Sequence, residues 1–144
     1  MASSGSSSSE HGYSGKPLVK KLGLKPDMAA LAISPPPNFS DLMDDVAVAA
    51  SDTPPKSGSY DYLHVFVRTA ADLQANLRPL EARLAQGGMI WVSWPKKTSP
   101  MFVDLTEDGI RAEALPMGLV DVKVCAVDQD WSGLKLMRRK QPSA

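Results

Sequence analysis

The first unbroken apolar run of the chain is Met28 to Ile33. A run of this kind predicts a strand covered on both faces, as in a parallel sheet. Ser34-Pro35-Pro36-Pro37 ends it, because proline cannot serve a central ladder. Upstream, Lys16 to Gly23 predicts a short helix, with Pro17 at its first position and Gly23 just past its end. Leu18 and Leu22 fall on one face of it, and Lys20 and Lys21 sit near its C-terminal end, where the dipole favours cations. A second short helix is expected from Ser40, capped by that hydroxyl, with Asp41 in its first turn.

Val46 to Ala49 is a weaker strand candidate, and Asp61 to Val67, rich in β-branched and aromatic residues, is a strong one. Only the loop Ser51 to Ser59 joins them, whereas a parallel crossover normally takes a dozen residues or more. Either the loop crosses extended or Val46 to Ala49 is not a full strand. Thr69 is expected to cap the longest helix. Leu73, Leu77, Leu80 and Leu84 step by four, three and four and form its apolar stripe. Pro79 predicts a kink or two abutting pieces, and Gly87-Gly88 predicts the end. Met89 to Trp94 is the next strand. Thr106 should cap a helix running through Leu115, with Leu105 and Ile110 at staple positions. Leu119 to Val127 and Leu134 to Arg139 then read as a hairpin around Asp128 to Ser132.

Strands alternating with helices predict an α/β domain, a mostly parallel sheet of Rossmann-like type flanked by helices, closed by an antiparallel hairpin. Residues 1–11, Ser- and Gly-rich, read as a disordered tail, 12–140 as a single α/β domain and 141–144 as a flexible C-terminal tail.

Acids and bases balance at 16 each, which argues against a nucleic-acid binder. Cys125 is the single cysteine, so no internal disulfide can form, and with His11 and His64 it does not make a zinc set. No signal-like or membrane-length apolar run is present, which makes the cytoplasm the expected location, with no membrane partner. No cofactor is expected.

Three segments resemble class I methyltransferases. Leu22-Gly23-Leu24-Lys25-Pro26-Asp27-Met28 is similar to their approach to the first strand. Leu77 through Trp94, with Gly87-Gly88 and Ile90-Trp91-Val92, is similar to a helix and strand late in their sheet, and the closing hairpin to their last two strands. The resemblance implies a methyltransferase-like sheet from which the third strand and its helices are missing. It also implies a Gly-x-Gly loop after the first strand, whose backbone approaches S-adenosylmethionine. Ser34-Pro35-Pro36-Pro37 stands there instead, and Asp52 is the candidate for a ribose-binding acid. A second resemblance covers nearly the whole chain. Gly12-Tyr13-Ser14-Gly15-Lys16-Pro17-Leu18, Trp94-Pro95-Lys96-Lys97, Asp104-Leu105-Thr106-Glu107, Lys123 to Asp128 and Trp131-Ser132-Gly133-Leu134-Lys135 are similar to a bacterial family of small proteins of unknown function.

The ligand-binding candidates are Ser34, Lys96, Lys97, Asp128 and Trp131, at or near the carboxyl ends of strands, where open α/β sheets bind ligands. Lys96 and Lys97 offer ammonium groups to a phosphate or carboxylate. Trp131 offers a stacking surface, and Asp128 an acid or base. Against each stands an ordinary structural role: a solvated turn, a proline turn, a packed tryptophan. Ser34 is expected to bond backbone. Register counted back from Asp128 to Ser132 places Cys125 opposite Lys135, yet no histidine is placed to serve as its base, so a structural cysteine is expected. His64 alternates with Tyr62 and Phe66 and is expected as a hydrogen-bonded core residue. Lys135, Arg138, Arg139 and Lys140 are expected to guard a solvated edge strand. No catalytic set and no metal set is complete. The sequence therefore points to a non-catalytic ligand-binding or protein-interaction module. The alternative is a small enzyme or sensor binding an anionic metabolite or nucleotide at the Lys96-Lys97 rim.

Overall fold

The computed structural model describes residues 17–43 and 46–139. The predicted tails 1–11 and 141–144, together with His11, Lys16 and Lys140, lie outside the described residues. In chain order the elements are α1 (Leu18–Lys21), β1 (Ala30–Ile33), α2 (Phe39–Leu42), β2 (Ala49–Ser51), β3 (Tyr60–Phe66), α3 (Ala70–Glu81), β4 (Leu84–Pro95), α4 (Glu107–Ala114), a 3₁₀ turn (Leu115–Met117), β5 (Leu119–Ala126) and β6 (Trp131–Arg138). They build one six-stranded sheet in the order β2-β1-β3-β4-β6-β5. The first four of these are parallel, and the β5–β6 hairpin adds β6 antiparallel to β4.

Each face of the sheet carries its own core. On one, Leu73, Leu77 and Leu80 of α3 and Ile110 and Ala114 of α4 pack on Leu63, Val65, Ile90 and Val92. Thr69 and Thr106 cap these helices as expected, their hydroxyls accepting the amides of Asp72 at 3.0 Å and Gly109 at 3.1 Å. Leu105 and Ile110 are both buried beside the second cap. On the opposite face, two one-turn helices cover Tyr62, Phe66, Met89 and Trp91. Trp91 is fully buried, and its indole N–H donates to the Leu22 carbonyl at 2.8 Å, which pins the end of α1 to the sheet.

Several boundaries differ from expectation. Residue Ser40 lies inside α2, and Asn38 is the N-cap residue without a side-chain capping bond, because the proline run delivers the chain to the helix two residues early. The α3 helix runs through Pro79 unbroken and ends at Glu81. Pro79 sits in the last turn, where little helix remains beyond it to be disturbed. Strand β4 then begins at Leu84 and passes through Gly87-Gly88, so the glycines lie within a strand rather than ending a helix. A Cβ on Gly88 would stand 3.0 and 3.1 Å from the Ala85 and Asp61 carbonyl oxygens. Strand β2 is paired with β1 but sits three residues later than the apolar run predicted. The crossover from β2 to β3 is Asp52–Ser59, without a helix. It must descend five residues of β3 and shift two strands sideways, roughly 20 Å in all. Eight extended residues reach about 27 Å, so the extended crossing is long enough. Finally, β6 lies inside the sheet and β5 forms its edge. Arg138 therefore guards no edge. Its guanidinium pairs with Glu81 at 3.0 Å and donates to the Glu81 and Leu84 carbonyls at 2.8 and 2.9 Å, joining β6 to the end of α3.

Candidate functional site

The carboxyl ends of β1, β2, β3 and β4 share one rim of the sheet, and the turn between β5 and β6 returns to the same rim. A cavity of about 720 Å³ opens there. One wall is the loop Ser34–Asn38 that follows β1. Asp52 stands just past β2, and Phe66, Val67 and Arg68 end β3. Asp72 and Asn76 come from the first turns of α3, while Met101, Asp128, Asp130 and Trp131 close the remaining side.

The loop conformation follows from its composition. Ser34 has φ 54°, a left-handed conformation that favours glycine, and its amide donates to the Ser51 carbonyl at 2.8 Å. The bond ties the end of β1 to the end of β2. The three prolines behind it have no N–H to offer a ligand. Ser34 lines the cavity, and the bond it makes here comes from its main-chain amide.

Asp128 organises the hairpin turn. One carboxylate oxygen accepts the amides of Asp130 and Trp131 at 2.8 and 2.9 Å, and the other accepts the Asn38 amide at 3.3 Å. The turn is tighter than the predicted loop, because the Val127 amide closes onto the Trp131 carbonyl at 2.9 Å. Cys125 consequently pairs with Gly133 and, in the same register, Lys123 pairs with Lys135, with a bulge only beyond it, between Lys123 and Asp121. The expected register, with Cys125 opposite Lys135, is corrected by this closure. Burial pushes the Cys125 thiol up against the opposing pull of Lys123 and Lys21, away from the thiolate a nucleophile needs. Lys123 donates to the Lys21 carbonyl at 3.0 Å, at the end of α1.

Trp131 is 6% exposed and meets Phe66 edge-on, with centroids 5.1 Å apart. Phe66 in turn stacks on His64 at 4.4 Å. His64 is fully buried, with Nδ1 at 2.9 Å from the Tyr62 hydroxyl and Nε2 at 2.6 Å from the Ser93 hydroxyl. Burial lowers its pKa to about 3 and raises that of Tyr62 well above its ordinary range. The ring is a neutral core residue, as its alternation with aromatic neighbours predicted, and it supports the cavity floor through Phe66.

Three of the five candidate residues, Ser34, Asp128 and Trp131, thus meet around one cavity, and so does Asp52. Lys96 and Lys97 do not line it. They follow β4 on the same rim, the Lys96 amide donating to the Asp130 carbonyl at 2.8 Å, and Lys97 is exposed. Arg68, Asp72 and Asn76 were missed. Their signal was position: Arg68 lies between the strong strand and the Thr69 cap, and the other two lie in the first two turns of the helix that follows.

Among the described residues no three or more His, Cys, Asp or Glu side chains gather in a metal-binding group, and no helix is long and apolar enough to cross a membrane.

Known structures share this architecture. The ribosomal protein L11 methylase of Lactobacillus delbrueckii subsp. bulgaricus superposes with a TM-score of 0.51 at 15% identity, over 90% of this chain and 74% of that one. The precorrin-6y C5,15-methyltransferase of Geobacter metallireducens gives a TM-score of 0.53 at 12% identity, over 84% and 85% of the two chains. The magnesium protoporphyrin IX methyltransferase of Synechocystis with bound SAH gives 0.52 at 12% identity, over 70% of this chain and 56% of that one. At such identities the likeness shows the fold alone, a methyltransferase-like α/β sheet. No curated protein matches the sequence. The family model described as "Protein of unknown function (DUF3052)" matches residues 42–140, and the chain belongs to that family.

Proposed function

We propose that this chain is a non-catalytic ligand-binding module, holding a small molecule at the carboxyl rim of a methyltransferase-like sheet. The observation that carries the reading is the 720 Å³ cavity walled by Ser34–Asn38. Its volume suits a small organic ligand. Its polar groups converge from five separate chain segments over the apolar Phe66–Trp131 pair.

S-adenosylmethionine does not fit this loop in the manner of a glycine loop. Glycine there lets backbone approach the ligand closely. Here the Ser34 amide is committed to Ser51, a Cβ occupies the left-handed position, and the next three residues lack N–H groups. Among the described residues, Ser34 is the hydroxyl or thiol side chain of the lining, and no hydrogen bond joins it to a carboxylate or an imidazole. Asp128, the candidate acid or base, has both oxygens engaged in holding the turn and Asn38. The alternative anion site at Lys96 and Lys97 has less support, because neither residue borders the cavity.

Thermal unfolding against a panel of nucleotides, S-adenosyl compounds, organic acids and amines tests the proposal. A ligand binding only the folded state raises Tm by mass action, by roughly 2.7 kcal/mol of stability at a hundredfold excess over Kd. The expected result is a Tm rise with one class of ligand that Asn76→Trp, which puts a large ring on the cavity lining, abolishes. Chemical turnover of the bound ligand, lost on the same substitution, would refute the non-catalytic reading.

A further inference from the structure

We infer that the ligand of this cavity is a small monocarboxylate with an apolar body, its carboxylate received by Arg68 and the Trp131 indole N–H. The inference rests on the reading that the cavity holds a ligand, and adds the group that orients it. The first observation is Trp131. It is 6% exposed and lines the cavity, and among the described residues nothing accepts from its indole N–H. No fully buried side-chain nitrogen or oxygen among them lacks a partner, so this nitrogen reaches open space, and the open space that Trp131 borders is the cavity. Trp91 is the contrast, with its N–H spent on the Leu22 carbonyl. A ligand that covers Trp131 must accept from the indole or leave a donor unsatisfied.

The second observation is Arg68, which lines the same cavity just past Phe66, the ring that meets Trp131 edge-on at 5.1 Å. Both donors therefore stand at the carboxyl end of β3. Among the described residues Arg68 has no ion pair and no hydrogen bond, whereas Arg111 holds Glu107, Asp108 and Asp121, and Arg138 holds Glu81. A guanidinium offers a planar fork of N–H groups that matches the two oxygens of a carboxylate. Asn38 and Asn76 each keep an amide N–H beside the one spent on Asp128 and on the Asp72 carbonyl. Phe66, Met101 and the three prolines give apolar surface to the body of the acid. The aspartates of the lining limit the charge of the ligand. Asp52 and Asp72 are exposed, so water satisfies them without a ligand. Arg68 offsets one negative charge on the ligand, and the surrounding carboxylates repel a second, which disfavours phosphate esters and dicarboxylates.

The test uses the full chain and four probes that share one ring: phenylacetate, phenylacetamide, phenethylamine and phenyl phosphate. Titration calorimetry is run on wild type, Arg68→Gln, Trp131→Phe and the control Arg78→Gln, an exposed arginine of α3 outside the lining. Phenylacetate is expected to bind wild type and the control alike, and more tightly than the other probes. Arg68→Gln should weaken it about tenfold and leave phenylacetamide unchanged. Trp131→Phe keeps a ring and removes the N–H, and should weaken both about fivefold. Arg68 is exposed, so its variant reports on the carboxylate even if Trp131→Phe fails to fold. Phenylacetate affinity that is the same in Arg68→Gln as in wild type would overturn the inference. So would absence of phenylacetate binding to wild type, or tighter binding of phenethylamine or phenyl phosphate. If one of those probes binds and Asn76→Trp blocks it, the cavity stands as a ligand site and the carboxylate alone is refuted. No Tm rise across the wider ligand panel would remove the site itself, and the inference with it.

Discussion

Acidification from pH 7 to pH 5 should weaken the fold through a single side chain. His64 is fully buried between the Tyr62 and Ser93 hydroxyls and flat against Phe66, and its folded pKa is lowered to about 3. In the unfolded chain the ring titrates near its ordinary value of about 6.5. Between those values only the unfolded state takes up the proton, so stability falls as pH falls. The contribution is complete above pH 6.5 and drains away through the window down to pH 3. At pH 5 the unfolded state has gained about 2 kcal/mol relative to pH 7, taking 1.36 kcal/mol per unit. For a domain of this size that is a Tm drop of about 7 °C. The Asp121 carboxyl, held below its usual range by Arg111, acts in the same direction but only at lower pH, where carboxylates protonate. Urea unfolding at the two pH values measures the loss directly. Proton NMR of the ring C–H signals, assigned with His64→Asn, should show a neutral ring at pH 5. A ring titrating near 6.5 in the folded protein, or an unfolding free energy that is flat from pH 7 to pH 5, would refute the argument.

Other consequences are equally direct. Thr106→Ala removes the acceptor of the Gly109 amide at the start of α4 and should cost about 1 kcal/mol, read as a fall in urea midpoint with unchanged m. Gly88→Ala places a methyl against two backbone oxygens that cannot turn away, so a loss of about 1–3 kcal/mol is expected where a relaxed glycine site would gain. Trp131 borders the cavity, whereas Trp91 and Trp94 are buried elsewhere in the sheet. Ligand binding should therefore change tryptophan emission in wild type and leave it unchanged in Trp131→Phe.

The sheet and its two long helices were legible in the sequence because each rests on a local signal. The run Asp61 to Val67, the Leu73–Leu77–Leu80 stripe and the two threonine caps state their structure within a few residues. Boundaries set by tertiary contact were not. The Gly87-Gly88 pair reads as a helix end, yet pairing of Leu84 and Met89 with β3 on either side draws it into β4 at an irregularity of the ladder. The hairpin register depends on Asp128 folding back onto two amides, which no alternation of side chains encodes. The candidate site divided in the same way. Ser34, Asp128 and Trp131 could be found from strand ends alone. Lys96 and Lys97 end a strand too, but their turn is tied by backbone to Asp130 beside the cavity rather than across it. Whether a rim residue faces inward is decided by the loop next to it.

The helix-free crossover Asp52–Ser59 has a bearing on how this sheet can change over evolutionary time. It joins the short edge strand β2 to the central strand β3, and both of its ends are fixed by ladders that do not depend on its length. Doubling such a loop adds only about 0.6 kcal/mol of closure entropy. A strand with its helices could therefore be inserted beside β2, or deleted, at small energetic cost, and the rest of the sheet would keep its register. Growth at this edge beyond Asp52 would leave the cavity wall after β1 in place, so most of the crossover can vary in length while the rim keeps its chemistry.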